Sequence, residues 1–238
     1  GCERPMAVNE PDSLTSQAAS ASTPAGGPAD DIRVRRVPDR ATYVADDIHE
    51  ILDAGLVAHV GTVRDGRPVV IPMYYVRDGD SLLLHGAPAA GALRRGKDAH
   101  VCVTVTHLDG IVLARSAFHH SMNYRSVVIV GVATPVTEPD EKVAALDRFV
   151  EALVPGRQRQ LRPTTKKEID GTTVLRLPLT TASAKVRTGG PIDDEEDYEL
   201  PIWAGVLGVH TVIDEPSADP RNLPGIAVPD NVRARVTT

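Results

Sequence analysis

The chain has 238 residues, 42% of them hydrophobic and 24% charged, with a formal charge of -6 and a pI near 5.7. That is enough apolar material for a sizeable single core, while the acidic balance excludes the basic face that nucleic-acid binding demands. Two cysteines, Cys2 and Cys102, are too few and too far apart for a disulfide framework or a zinc site. No stretch approaches the ~18 apolar residues of a membrane span, so the chain reads as cytoplasmic, with neither nucleic acid nor membrane as a partner.

Residues 1–31 are rich in Ser, Ala, Pro and Thr, and too little apolar surface is available there to offset ordering entropy; a disordered tail is expected. A single domain should follow over 32–212, with an irregular, Pro-rich tail over 213–238. After the basic lead-in RVRRVPDR, Asp39 is the expected N-cap of a helix over 41–54 whose apolar face is Tyr43, Val44, Ile48, Ile51 and Leu52, ending at Gly55. Strands are expected at 56–63, 67–76 and 81–85, joined at Asp65-Gly66 and Asp78-Gly79, an antiparallel meander. His59 alternates with apolar neighbours and reads as structural. Pro72 cannot donate to a ladder, so its strand should lie at an edge or carry a bulge.

The turn His85-Gly86-Ala87-Pro88-Ala89-Ala90-Gly91 then leads into a short basic helix from Leu93, and free backbone N–H groups at such a turn suit a phosphate. A fourth strand is expected over 100–106, with Cys102 as a small buried hydrophobe. From His107 to Ala133 runs HLDGIVLARSAFHHSMNYRSVVIVGVA, read as two more strands around a polar loop in which Arg115, Ser116, His119, His120, Ser121, Asn123, Tyr124, Arg125 and Ser126 crowd together. Residues 138–153 form an amphipathic scaffold helix with Val143, Leu146, Phe149, Val150 and Leu153 on one face. A solvated basic loop (155–163) and strands at 172–177 and 181–187 follow. The acidic run 193–199 is an exposed turn rather than a metal site, and no metal centre is expected.

The words SAFHHSMNYRSVVIVGVA, with VCVTVTHLDGIVLAR before them and SAKVRTGGP and LPIWAGVL after, resemble the pyridoxamine 5′-phosphate oxidase-like, flavin-nucleotide-binding split-barrel proteins, in the nitroimidazole-resistance-like branch. The resemblance spans roughly Val37 to Val209. It implies a mainly β fold, a six-stranded Greek-key split β-barrel of FMN-binding type with flanking helices, assembled as a homodimer with FMN between protomers. It further implies a flavin-dependent oxidoreductase acting on a small organic substrate. By the same resemblance Val70, Ile71, Pro72, Met73 and Tyr74 run along the flavin ring, and His85, Gly86 and Ala87 lie in the phosphate turn. Relatives place a Ser or Thr and then a cation where this chain has Ala90 and Gly91, so Arg94, Arg95 or Lys97 is the substitute contact. Asn123, Tyr124, Arg125 and Ser126 are the expected flavin or ribityl contacts, with Lys185 and Trp203 nearby, and His119, His120 and Ser121 are expected to face substrate. For Arg125 a structural pairing with Glu138 or Asp140 is the alternative. The substrate-binding arginine and histidine pattern of true pyridoxamine phosphate oxidases is not found. Alternatives are a haem protein with His85, His107, His119 or His120 as axial ligand, a deazaflavin F420-binding relative, and a ligandless sensory or structural dimer.

Overall fold

A computed structural model describes residues 32–86 and 99–237. The tail 1–31 and, in the expected phosphate turn, Ala87, Ala90, Gly91, Arg94, Arg95 and Lys97 lie outside the described residues. The elements run β1 (Ala41–Thr42), α1 (Ala45–Asp53), β2 (Val57–Arg64), β3 (Arg67–Asp78), β4 (Ser81–Gly86), β5 (Ala99–Leu113), β6 (Ser121–Pro135), α2 (Pro139–Leu153), α3 (Lys166–Gly171), β7 (Thr173–Pro178), β8 (Ala182–Arg187), β9 (Gly205–Gly208) and α4 (Asp230–Arg233).

Six strands close a ring of antiparallel ladders, β2-β3-β4-β7-β6-β5 and back to β2. This is the mainly β split barrel that the sequence implies. β8 adds to β6 and carries β1, and β9 adds to β5. Period-2 alternation decides what fills the ring. Ala58, Val60, Met73, Tyr75, Leu82, Leu84, Val101, Val103, Val105, Val127, Ile129, Leu175 and Leu177 point inward and are buried, with Ile48, Ile51 and Leu52 of α1 packed against them. Each fully buried Leu, Val or Ile contributes ~1.5–3 kcal/mol of transfer free energy. Tyr75 donates its hydroxyl to the Leu52 carbonyl at 2.6 Å, which ties β3 to the end of α1. A second cluster lies outside the ring, where Leu83, Val136 and Val174 pack against Ala145 and Phe149 of α2.

Several local expectations are corrected. The first helix begins only at Ala45 with Val44 as its N-cap; Asp39 sits inside a separate 3-10 turn over Pro38–Arg40 and caps nothing, and Tyr43 and Val44 are exposed. The fourth and fifth expected strands are one, the 15-residue β5, because Asp109-Gly110 makes a bulge between Leu108 and Gly110 instead of a turn. The polar loop shrinks to residues 114–120, since Ser121, Asn123, Tyr124, Arg125 and Ser126 are strand residues of β6. Asp65 and Gly66 both take positive φ (50° and 74°), as a two-residue hairpin turn requires. Pro72 causes no bulge: β2 and β3 stay in register throughout. β4 pairs with β3 only from Tyr74 onward, so Arg67–Met73 has one edge without a strand among the described residues, where a missing N–H costs little.

Candidate functional site

The outward-facing residues of the ring fall into two regions. α2 covers the outer side of β4 and β7. Among the described residues no helix covers the outer side of β2, β3, β5 and β6. There His59 lies in register with Pro72 and Thr104, Gly61 with Val70 and Cys102, Thr104 with Val128, and Thr106 with Ser126. Val57, Val63 and Val70 are 55%, 68% and 62% exposed on this one face. His59 and Cys102 are therefore exposed members of the face, not the structural and buried residues expected from their apolar neighbours. Alternation with Ala58 and Val60 was the signal that could have placed His59 here.

β3 divides its expected cofactor contacts by the same alternation. Val70 and Pro72 point outward, whereas Met73 is 7% exposed in the core and Ile71 packs against it, so these two can offer a ligand only backbone. Ser126 and Lys185 are register partners on the outer side. The Ser126 hydroxyl donates to the Lys185 carbonyl at 3.3 Å, and Lys185 Nζ donates to the Arg36 carbonyl at 2.8 Å.

Next in line, Tyr124 lies opposite Arg187, which sequence reasoning passed over. Arg187 is 5% exposed. Its guanidinium donates to Asn123 Oδ1 and to the Gly190 carbonyl, its Nε has no partner, and no carboxylate among the described residues pairs with it. Burial, with Arg40 nearby, pulls its pKa below the ordinary arginine value. Asn123 donates in turn to the Gly189 carbonyl at 3.0 Å. An uncompensated buried cation beside an open face fits an anionic ligand group such as a nucleotide phosphate.

Arg125 faces neither that corner nor Glu138 or Asp140. It forms a two-pronged pair with Asp109, both bonds 2.8 Å, which holds the Asp109 carboxyl below the usual carboxylate range. Beyond the barrel, the β5–β6 hairpin continues as an arm with β9 at its edge. Here Ser116 organises both histidines: its hydroxyl meets His119 Nδ1 at 2.7 Å, and its carbonyl accepts from His120 Nδ1 at 2.8 Å. His119 Nε2 also approaches Asp194 at 3.8 Å. Asp193, expected in an exposed turn, is buried and accepts from the Arg115 backbone and guanidinium, each at 3.0 Å, while Arg115 lies 4.9 Å from the centre of the Tyr198 ring. His119, Asp193 and Asp197 place ligand-type atoms within 4.8 Å of one another, but the Arg115 cation already occupies Asp193. Phe118 (90%) and Trp203 (68%) are exposed on this arm, so Trp203 is not a core anchor within one chain. The structure thus spreads the expected residues over three places: Val70, Pro72 and Ser126 on the outer face of the barrel, Asn123 and Tyr124 at the corner, and His119, His120 and Ser121 on the arm.

His85, at the end of β4, lies in a different place. It lines a cavity of about 570 Å³ between β4, α2 and α3, and its ring tilts against Phe149 at 5.4 Å. Burial lowers its pKa and favours the neutral imidazole. Leu146, Val150 and Leu153 of α2 and Leu161 form the apolar walls. The apolar stripe of α2 is wider than the sheet surface it covers: Ala145 and Phe149 are buried, while Leu146, Val150 and the exposed Leu153 line this space.

A family model described as pyridoxamine 5′-phosphate oxidase matches residues 45–186. The chain belongs to this family. Members of the pyridoxamine 5′-phosphate oxidase family bind flavin, and among solved structures this member resembles two over nearly their whole length. The flavocytochrome Anf3 from Azotobacter vinelandii is 41% identical, covering 87% of this chain and 97% of that one, with a TM-score of 0.82. The FAD and haem binding protein from Mycobacterium smegmatis is 35% identical, covering 83% and 97%, with a TM-score of 0.78. A 5-nitroimidazole antibiotic resistance protein from Bacteroides thetaiotaomicron, 23% identical over 61% of this chain and 86% of its own with a TM-score of 0.50, shares the fold. No curated protein matches. Among the described residues no helix is long and apolar enough to cross a membrane.

Proposed function

We propose that this chain is a flavin-dependent oxidoreductase acting on a small organic substrate, that it works as a homodimer, and that it carries haem as a second redox group. The observation that supports this reading is the near-complete coverage, at 41% and 35% identity, of two proteins named for a flavin and a haem together. Of the flavin forms, FAD takes precedence over FMN and F420, because FAD is the form named for the M. smegmatis relative.

When bound, the flavin supplies hydride and single-electron transfer, and the haem supplies single-electron transfer. The protein's part is to hold and orient. The edge of Arg67–Met73, which has no strand partner among the described residues, offers backbone groups to a planar ligand, Thr104, Thr106 and Ser126 offer hydroxyls, and Arg187 offers a buried charge to a phosphate. A second protomer over Val57, Val63 and Val70 would exclude water from that face. On the arm, the bond from His120 Nδ1 to the Ser116 carbonyl leaves Nε2 free to accept or release a substrate proton, with His119 and Ser121 beside it. Trp203 on the same arm suits a contact across the dimer.

The test is the visible spectrum of the purified protein, followed by acid release and chromatography of whatever is bound. Flavin absorbance with FAD in the released fraction is expected. A colourless protein that takes up none of FAD, FMN or F420 would overturn the reading in favour of a ligandless dimer.

A further inference from the structure

We propose that the corner where the basic lead-in 33–40 meets the end of β8 is a diphosphate site, with Arg187 as its buried cation and Arg40 as its second. This rests on the flavin reading above and names the part of the chain that selects a dinucleotide over a mononucleotide.

Among the described residues Arg64, Arg115 and Arg187 each bury an Nε that has no partner. Arg115 has its charge met by Asp193, and Arg64 is only half-buried. Arg187 combines 5% exposure with no counter-charge among the described residues. Its bonds to Asn123 Oδ1 and the Gly190 carbonyl leave N–H donors over, and neither acceptor is ionised. An oxyanion supplies both the missing charge and the missing acceptors.

A second cation stands beside it. β1 pairs with β8 as Thr42↔Ala184 and Ala41↔Lys185, so Arg40, one residue before β1, lies along the end of β8 that carries Arg187. After burial, the Arg40 charge is the next cause that pulls the Arg187 pKa down. The lead-in is held in this place. Val37 takes φ 53° and ψ 64°, which a β-branched residue rarely adopts, and Lys185 Nζ donates to the Arg36 carbonyl at 2.8 Å. In a chain of net charge -6, a stretch with four arginines and one acid is thereby turned onto β8. Two guanidiniums held side by side repel, and a dianion between them converts the repulsion into attraction.

The position suits a dinucleotide. Tyr124 and Ser126, the register partners of Arg187 and Lys185, lead along β6 to the outer face proposed for the flavin. Gly189 and Gly190 close the corner, and a Cβ on either would meet nothing within 4 Å, which leaves room for phosphate oxygens. One phosphate satisfies one guanidinium fork, whereas a diphosphate spans both. Two sources present that group: FAD itself, or a nicotinamide dinucleotide that reduces the flavin.

Calorimetric titration of the full-length protein, freed of bound nucleotide, with pyrophosphate and with orthophosphate tests the site, and melting temperature reports folding. Expected are tighter binding of pyrophosphate than of orthophosphate, and a loss of about 10–100-fold in pyrophosphate affinity in both Arg187→Gln and Arg40→Gln. Arg187→Lys should recover only part of the loss, because an ammonium keeps the charge without the fork. Lys166→Gln, on the exposed side of α3, should bind as the parent does. The half-buried Arg40 keeps the test decisive if Arg187→Gln does not fold. A parent that binds the two anions equally or not at all, or a folded Arg40→Gln protein with parental affinity, would overturn the site and leave the flavin reading in place. A parent that binds pyrophosphate through Arg187 but takes up no flavin would overturn that reading and leave the site. Repeating the titration with FAD bound separates the sources. Lost pyrophosphate binding assigns the diphosphate to FAD, and retained binding that NADH or NADPH displaces assigns it to the donor. Retained binding that neither displaces would overturn the dinucleotide assignment.

Discussion

Asp109 and Arg125 are each about one-third exposed, so their pair ranks with surface ion pairs in spite of its two short bonds. Arg125→Ala should lower apo stability at pH 7 by no more than ~1 kcal/mol in urea unfolding. Because the pair depresses the folded-state pKa of Asp109, its contribution is present above the unfolded carboxylate value near ~3.9 and is lost as pH falls through the folded value. The stability gap between parent and variant should therefore close below about pH 4, and a gap unchanged at pH 2.5 would contradict the pairing. Tyr75 is a stricter case, being 1% exposed with its pKa raised well above the usual tyrosine value, mainly by burial. Tyr75→Phe should cost ~0.5–1.5 kcal/mol, measured in the same way, because it removes a buried hydrogen bond while the Leu52 carbonyl keeps the Gly55 N–H at 3.2 Å. Sequence could not assign Arg125, since its partner lies 16 positions back across a strand pair whose bulge was invisible. Arg187 was missed for a related reason: an arginine at a strand end reads as solvated, and its partners are the Gly190 carbonyl beyond the strand and Asn123, 64 positions back.

Elements whose signals are local were legible. The Asp65-Gly66 turn, the alternation of β2 and the stripe of α2 each appear within about a dozen letters. Elements defined by a partner were not. HLDG looks like a strand terminus, yet β5 runs through it because β6 and β9 supply ladders on both sides. SMNYRS looks like a loop, yet it is strand because β5 and β8 flank it, a reminder that strand propensity describes fit to a sheet more than an intrinsic preference. The same distinction governs Gly55. It follows α1 as expected, but its φ is not positive. Its constraint is crowding, because a Cβ there would stand 2.6 Å from the Tyr75 hydroxyl and 2.8 Å from the His107 ring. Gly55→Ala should thus destabilise by ~1–3 kcal/mol through overpacking where α1, β3 and β5 meet, and a neutral effect on thermal melting would contradict that packing.

At the scale of the molecule, the split barrel was legible through resemblance and meander spacing, whereas the open face, the arm and the cavity were not, because each arises where residues distant in sequence come together. The open face carries the assembly prediction: Val70→Arg should shift sedimentation from dimer to monomer while leaving the inward core intact, since a stable contact of at least ~1,200 Å² cannot tolerate an unpaired charge near its centre. The ring also has a seam. β6 meets β7 through only the register pairs Thr134↔Arg176 and Pro135↔Leu175, while it meets β5 along almost its whole length. In native-state hydrogen exchange the amides of Thr134 and Val136 should open at lower free energy than those of Val127 and Ile129. The cylinder then breathes along one line, its long β5–β6 hairpin still zipped, so that the two-pair contact between β6 and β7 is the first part of the ring to be undone.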